Sequence, residues 1–84
     1  MATVQERVVA VTARVLKIDP AAIKLTDNFC ADLGAESVQS IELVANFEGE
    51  FGIEMEEDAA LSVETVGDAV VFIAEVCRQQ GVKV

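Results

Sequence analysis

The sequence predicts an all-α protein: a small bundle of three main helices plus one short helix, with a long loop between the first two helices. Three observations predict it. Apolar residues recur at helical spacing in three separate stretches, and no pair of strands can be read between them. Helix start and stop signals flank those stretches. A single Pro, in 84 residues of which 52% are hydrophobic, leaves the periodic stretches uninterrupted. The length fits one domain, residues 1–84, and the composition is that of a globular chain with a modest core.

Val4, Val8, Val11 and Val15, widened by Val9 and Leu16, predict a first amphipathic helix over about Thr3 to Lys17. Asp19-Pro20 is expected to end it, because the residue before Pro is pushed out of helical geometry. The connection from Pro20 to Glu36 carries Ile23, Leu25, Phe29 and Leu33, so it is expected to pack on the core. A second helix is expected from Ser37 to Phe51, with Leu43, Val44, Phe47 and Phe51 on its core face. Glu42, Asn46, Gly49 and Glu50 fall opposite, and Val38, Ile41 and Ala45 fall on the margin. Gly52 suits the position just past its end. One short helical turn is expected near Glu57 to Leu61. A last helix follows with Thr65 as N-cap and Asp68 three residues on, an approximate capping box. Val66, Ala69, Val70, Ile73 and Val76/Cys77 form its buried stripe, and Gly81 stops it.

Charge is distributed unevenly. The net charge is −9, and every residue from Leu25 to Cys77 is acidic or uncharged. Thirteen of the fifteen acids lie in that segment. Such a field repels nucleic acid and anionic membrane surfaces and attracts basic protein surfaces. No run of about 18 apolar residues is present to span a membrane. The N-terminus has no basic n-region or cleavage site, so no signal peptide is read. Cys30 and Cys77 are then expected as free thiols in a cytoplasmic protein.

The chemistry available is narrow. The chain has no His, so Ser-His-Asp and Cys-His arrangements are impossible, and two isolated Cys do not make a zinc site. Asp27, Asn28 and Asp32 precede Gly34, but the spacing fails the EF-hand pattern. No metal site and no enzymatic activity are expected. Ser37 stands out at the start of the second helix, where backbone N–H groups lack partners and the helix end is positive. By position alone it reads as a helix cap. The same features would hold a phosphate attached to it.

The run "DLGAESVQSIELV", the acidic helix ending "EGEF", the link "GIEMEEDA" and the closing "VETVGDAVVFI" decide between those readings. Together they resemble the acyl carrier protein family over nearly the whole chain. That family's motif is Asp-Ser-Leu, preceded by a Leu-Gly turn and followed by an acidic helix. The resemblance implies a carrier: 4′-phosphopantetheine attached to Ser37 by a separate phosphopantetheinyl transferase, with acyl groups held as thioesters on the arm and shuttled between enzymes of fatty acid, lipid or polyketide biosynthesis. The reactive sulfur then belongs to the prosthetic group, and the protein needs no base of its own. Val38, Ile41 and Ala45 become the apolar part of a docking face. Glu36, Glu42, Glu48 and Glu50 become its acidic part, facing basic patches on partner enzymes. The acyl chain would lie between helices, lined by Phe29, Leu43, Val44, Phe47 and Ile73. The carrier is expected to act as a monomer.

Three positions depart from the family pattern: Glu36 replaces Asp, Val38 replaces Leu, and Gln39 replaces the usual acid. These changes fit a specialised carrier as readily as the carrier of fatty acid synthesis. The alternative, from a different class, is an unmodified acidic helical module that binds a basic partner without any prosthetic group.

Overall fold

A computed structural model describes residues 2–84. Its elements are α1 (Val4–Leu16), a 3-10 turn (Pro20–Ala22), α2 (Ser37–Phe51), α3 (Glu57–Leu61) and α4 (Val66–Gln79). The fold is the all-α bundle expected, three long helices and one short one, with the long connection between α1 and α2.

Local chemistry sets the boundaries. Thr3 lies just outside α1 as its N-cap, where it was expected as the first helical residue. Its Oγ1 accepts the Glu6 N–H at 3.1 Å, and its own N–H donates to Glu6 Oε1 at 2.9 Å, a complete capping box. At the other end Lys17 leaves the helix with φ 58°, in the left-handed region, and its N–H donates to the Ala13 carbonyl. The chain has therefore turned before Asp19-Pro20, which was expected to end the helix. Asp19 instead caps the 3-10 turn, accepting the Ala21 N–H at 2.8 Å.

The core gathers Val8 and Val11 of α1, Leu43, Phe47 and Phe51 of α2, and Val66, Ala69, Ile73 and Cys77 of α4. Ile53, just past α2, joins them. Val4 and Val15, expected in the buried stripe of α1, are only half-buried at its ends. Thr12, the one buried polar side chain among the described residues, donates its hydroxyl to the Val8 carbonyl at 2.8 Å, so its burial carries no unsatisfied group.

α1 packs against both α2 and α4, whereas α2 and α4 meet each other little. Arg7 fastens α1 to the end of α2. Its Nε donates to Glu50 Oε2 and its Nη2 to the Glu50 carbonyl, both at 2.8 Å, and its guanidinium lies 4.3 Å from the Phe51 ring centroid. Arg14 reaches Asn46 at 3.4 Å. Asn46 and Glu50 thus flank α1, although helical spacing put them on the face opposite the core. The sequence pattern shows a polar edge but not that a cation from another helix borders it.

The long connection is tied down along its length. The side chains of Asp27, Asn28 and Asp32 turn inward onto their own backbone. Asp27 Oδ2 accepts the Lys24 N–H, Asp32 Oδ2 the Asn28 N–H, and Asn28 Oδ1 those of Cys30 and Ala31, at 2.7–2.9 Å. The loop also seals the start of α4. Val66 N–H donates to the Asp27 carbonyl at 3.0 Å and Gly67 N–H to the Leu25 carbonyl at 2.8 Å. Thr65 Oγ1 takes the Asp68 N–H at 3.1 Å, the half of the expected capping box that is formed. The first N–H groups of α4, which a helix cannot satisfy from within, are thereby all paired.

Candidate functional site

α2 begins differently. Its N-cap is Glu36, so Ser37 is the first helical residue and not the cap that position suggested. Gln39 completes the entry: its amide oxygen accepts the Glu36 N–H at 3.0 Å. This gives Gln39 a role that its lack of charge had hidden. Ser37 is exposed. Among the described residues its hydroxyl has no hydrogen-bond partner, nor do the N–H groups of Ser37 and Val38. Where α4 has its start closed by a loop, α2 presents an open, positive end to solvent with a hydroxyl on it.

The loop positions that end. The Phe29 N–H donates to the Glu64 carbonyl at 3.0 Å, and the Phe29 carbonyl accepts the Ala35 N–H at 2.8 Å. Gly34, at φ 73°, makes the turn that delivers Glu36 and Ser37. Phe29 itself is buried.

One helical turn along α2 from Ser37, Ser40 lines a largely apolar cavity of about 310 Å³. It lies where α2 and α4, each packed on α1, meet each other little, and residues of the loop and α3 complete its walls. All five side chains expected to line an acyl site, Phe29, Leu43, Val44, Phe47 and Ile73, do line it. Sequence reasoning missed Met55, Leu61 and Phe72 on its walls, and Asn28, Cys30, Ser40 and Glu64 among its polar residues. Ser40 lies three residues after Ser37, so helical spacing alone could have placed it on the same side.

Val38 is 65% exposed and Ile41 51% exposed, and Ala45 is exposed too. They stand clear of the core and are not its margin. Glu36 and Glu42 are exposed near them. Glu48 and Glu50 are engaged elsewhere: Glu48 Oε2 accepts the Met55 N–H at 2.9 Å, and Glu50 holds Arg7. The two cysteines are free, Cys30 exposed and Cys77 buried, with burial pushing the Cys77 thiol above its ordinary pKa. No group of three or more metal-ligating side chains and no helix long and apolar enough to cross a membrane occurs among the described residues.

A helical bundle with an unpartnered hydroxyl at a helix start and a largely apolar cavity one turn further along the same helix suits the class of carriers. Comparison with known proteins agrees. The family model described as the phosphopantetheine attachment site matches residues 6–73. An acyl carrier protein of Caulobacter vibrioides is 45% identical over 75 residues, which is 89% of this chain and 96% of the relative. One from Phenylobacterium zucineum is 47% identical over 75 residues, 89% of this chain and 95% of the relative. A candidate acyl carrier protein from Mycobacterium tuberculosis superposes with a TM-score of 0.81 at 29% identity, covering 87% of this chain and 97% of its own.

The chain belongs to the acyl carrier protein family. It is a carrier rather than an enzyme, and its prosthetic group is 4′-phosphopantetheine. The residues present fit that group: an exposed serine hydroxyl for the phosphodiester, free helix-start N–H groups beside it, and an apolar cavity for cargo.

Proposed function

We propose that Ser37 is the attachment residue and that the chain holds acyl intermediates as thioesters in the cytoplasm, passing them between enzymes of fatty acid, lipid or polyketide biosynthesis. The observation that carries this reading is the position of Ser37: exposed, unpartnered, at the first residue of α2 and one helical turn before Ser40, which lines the cavity. The prosthetic group supplies a thiol on a flexible arm. Everything else is asked of the chain's own residues. The Ser37 hydroxyl oxygen would attack the pantetheine-bearing phosphate of coenzyme A, forming the phosphodiester and releasing adenosine 3′,5′-bisphosphate, with the transferase providing the base that takes the hydroxyl proton. The free N–H groups of Ser37 and Val38 face the resulting negative charge. Phe29, Leu43, Val44, Phe47 and Ile73 remove the tail of the cargo from water.

Glu36, Val38, Ile41, Glu42 and Ala45 form the docking face for the transferase and for acyl-processing enzymes. Apolar side chains exposed this far, rimmed by carboxylates with no cation among their chain neighbours, suit a partner with an apolar pocket inside a basic patch. Charge complementarity then speeds encounter and orients it without demanding tight binding, which suits a shuttle. Glu48 and Glu50, expected in this face, have their carboxylates committed within the fold and contribute less. Free thiols at Cys30 and Cys77 suit a reducing compartment.

The test is mass spectrometry after incubation with a promiscuous phosphopantetheinyl transferase and coenzyme A. A gain of one phosphopantetheine, lost in Ser37→Ala, is the expected result. An unchanged mass with an active transferase, or modification that survives Ser37→Ala, refutes the assignment.

A further inference from the structure

Two helices of this chain are capped by the same bond and charged differently. At the start of α1 the third residue is an acid, and Glu6 Oε1 accepts the Thr3 N–H at 2.9 Å. At the start of α2 the third residue is an amide, and Gln39 Oε1 accepts the Glu36 N–H at 3.0 Å. The positive end of a helix favours an anion in its first turn. α1, α3 and α4 each carry one there: Glu6, Glu57 with Asp58, and Asp68. The first turn of α2 carries none, although thirteen acids lie between Leu25 and Cys77.

The helix with the uncharged first turn is the one that begins with Ser37. The prosthetic group of the family, 4′-phosphopantetheine, joins its carrier through a phosphodiester, which is an anion. On Ser37 that anion enters the turn that lacks one, beside the N–H groups of Ser37 and Val38, which have no partner among the described residues. Glu36 and Glu42 each lie three residues from Gln39, a spacing at which like charges on a helix oppose each other. A carboxylate at position 39 would meet both of them and the phosphodiester as well. The amide of Gln39 closes the cap without that repulsion.

We propose that Gln39 keeps the first turn of α2 free of charge for the prosthetic phosphodiester, so that modification itself completes the helix start and the modified chain is the more stable form. The inference rests on the assignment of Ser37 above and concerns how the state of that site is felt by the fold. The coupling is reciprocal: whatever firms the start of α2 favours the modified chain, and modification firms the start of α2. Val38 and Ile41 are exposed on the first turns of α2. An enzyme that docks on them therefore meets a firmer surface on the modified carrier than on the unmodified one. An acid at position 39 would supply the anion in both forms and erase the difference.

The test follows thermal unfolding of the full chain by circular dichroism, before and after treatment with a phosphopantetheinyl transferase and coenzyme A, with mass spectrometry reporting the modification. Modification should raise Tm by about 1–8 °C, the range for one anion at a helix start in a domain of this size. The gain should shrink in about 1 M sodium chloride, where the screening length is about 3 Å. Apolar contacts of the arm would not weaken in salt, so a gain indifferent to salt overturns the inference. Gln39→Glu keeps an oxygen for the Glu36 N–H and adds the charge, so its gain on modification should vanish or change sign. Gln39→Ala removes the oxygen and adds no charge. It should lower Tm of both forms alike and keep the gain; a gain lost there too belongs to the cap and overturns the inference. So does an equal gain in Gln39→Glu and the parent, or a modified parent no more stable than the unmodified one, and in each case the added mass leaves the assignment of Ser37 standing. Should Gln39→Glu not fold, Ser37→Asp compared with Ser37→Asn reads the same charge without an arm, and an Asp variant no more stable than the Asn variant overturns the inference. An unchanged mass after treatment refutes the assignment of Ser37, and the inference falls with it.

Discussion

Two glycines within helices allow one substitution to be predicted with opposite signs. Gly67 is the second residue of α4, and a Cβ built there lies 3.0 Å from the Leu25 carbonyl oxygen and 3.6 Å from the Leu25 Cβ. That oxygen is backbone, and it already accepts the Gly67 N–H at 2.8 Å. It can give way only by lengthening the bond that ties the loop to the start of α4. Overpacking at such a contact costs about 1–3 kcal/mol, and weakening the hydrogen bond costs about 1 more. Alanine returns about 1 kcal/mol through its better helix propensity. Gly67→Ala should therefore destabilise by about 1–3 kcal/mol, lowering Tm by about 4–24 °C for a domain of this size. Gly49 lies within α2 with nothing within 4 Å of a built Cβ. There only the propensity term operates, so Gly49→Ala should stabilise by about 0.5–1 kcal/mol and raise Tm by about 2–8 °C. Thermal denaturation followed by circular dichroism reads both. A Gly67→Ala protein as stable as the parent, or more so, would show that the approach of the loop to α4 does not need glycine.

Three further outcomes are expected. Arg7→Ala removes a partly exposed ion pair, worth up to about 1 kcal/mol, and a cation–π contact worth about 0.5–1. A urea denaturation midpoint unchanged by it would refute the role given to Arg7, and Arg7→Lys should recover only part, since an ammonium lacks the planar fork. A thiol reagent should label Cys30 rapidly in the native protein and Cys77 only on unfolding, because Cys77 is 0% exposed with its thiol pKa raised by burial; two fast thiols would contradict this. The Glu6 carboxyl is held below its ordinary pKa by hydrogen bonds from Thr3, and that of Glu75 chiefly by its hydrogen bond to Arg78. Each contributes stability that is complete above the ordinary carboxylate range and lost as pH falls through the lower folded-state value. Both are exposed, so Glu6→Gln with Glu75→Gln should flatten the acid side of the stability profile only slightly, and parallel profiles would refute the linkage.

The helices were legible because each carries its own instructions. Valines at helical spacing, Thr65 beside Asp68, and Gly52 and Gly81 past helix ends act over a turn or less, and α2 and α3 fall where those signals place them. What misled was local ambiguity resolved by distant partners. Ser37 and Glu36 are both plausible first-turn residues, and which is the cap depends on how Phe29 and Gly34 deliver the chain. Asn46 and Glu50 look like a free polar face until Arg7 and Arg14 approach from α1. Lys17 in left-handed geometry leaves no mark in composition.

By itself, then, the sequence determined the class of fold, the lack of histidine and the serine at a helix start, because periodicity, residue inventory and chain order are properties of the chain alone. Tertiary structure decided the rest. It opened the start of α2 while the loop sealed that of α4, and it set Val38 and Ile41 out in solvent. It turned Glu48 from a surface charge into the support of Met55. It also made the cavity, because α2 and α4 each pack on α1 more than on one another, and the space left between them is a property of neither sequence segment.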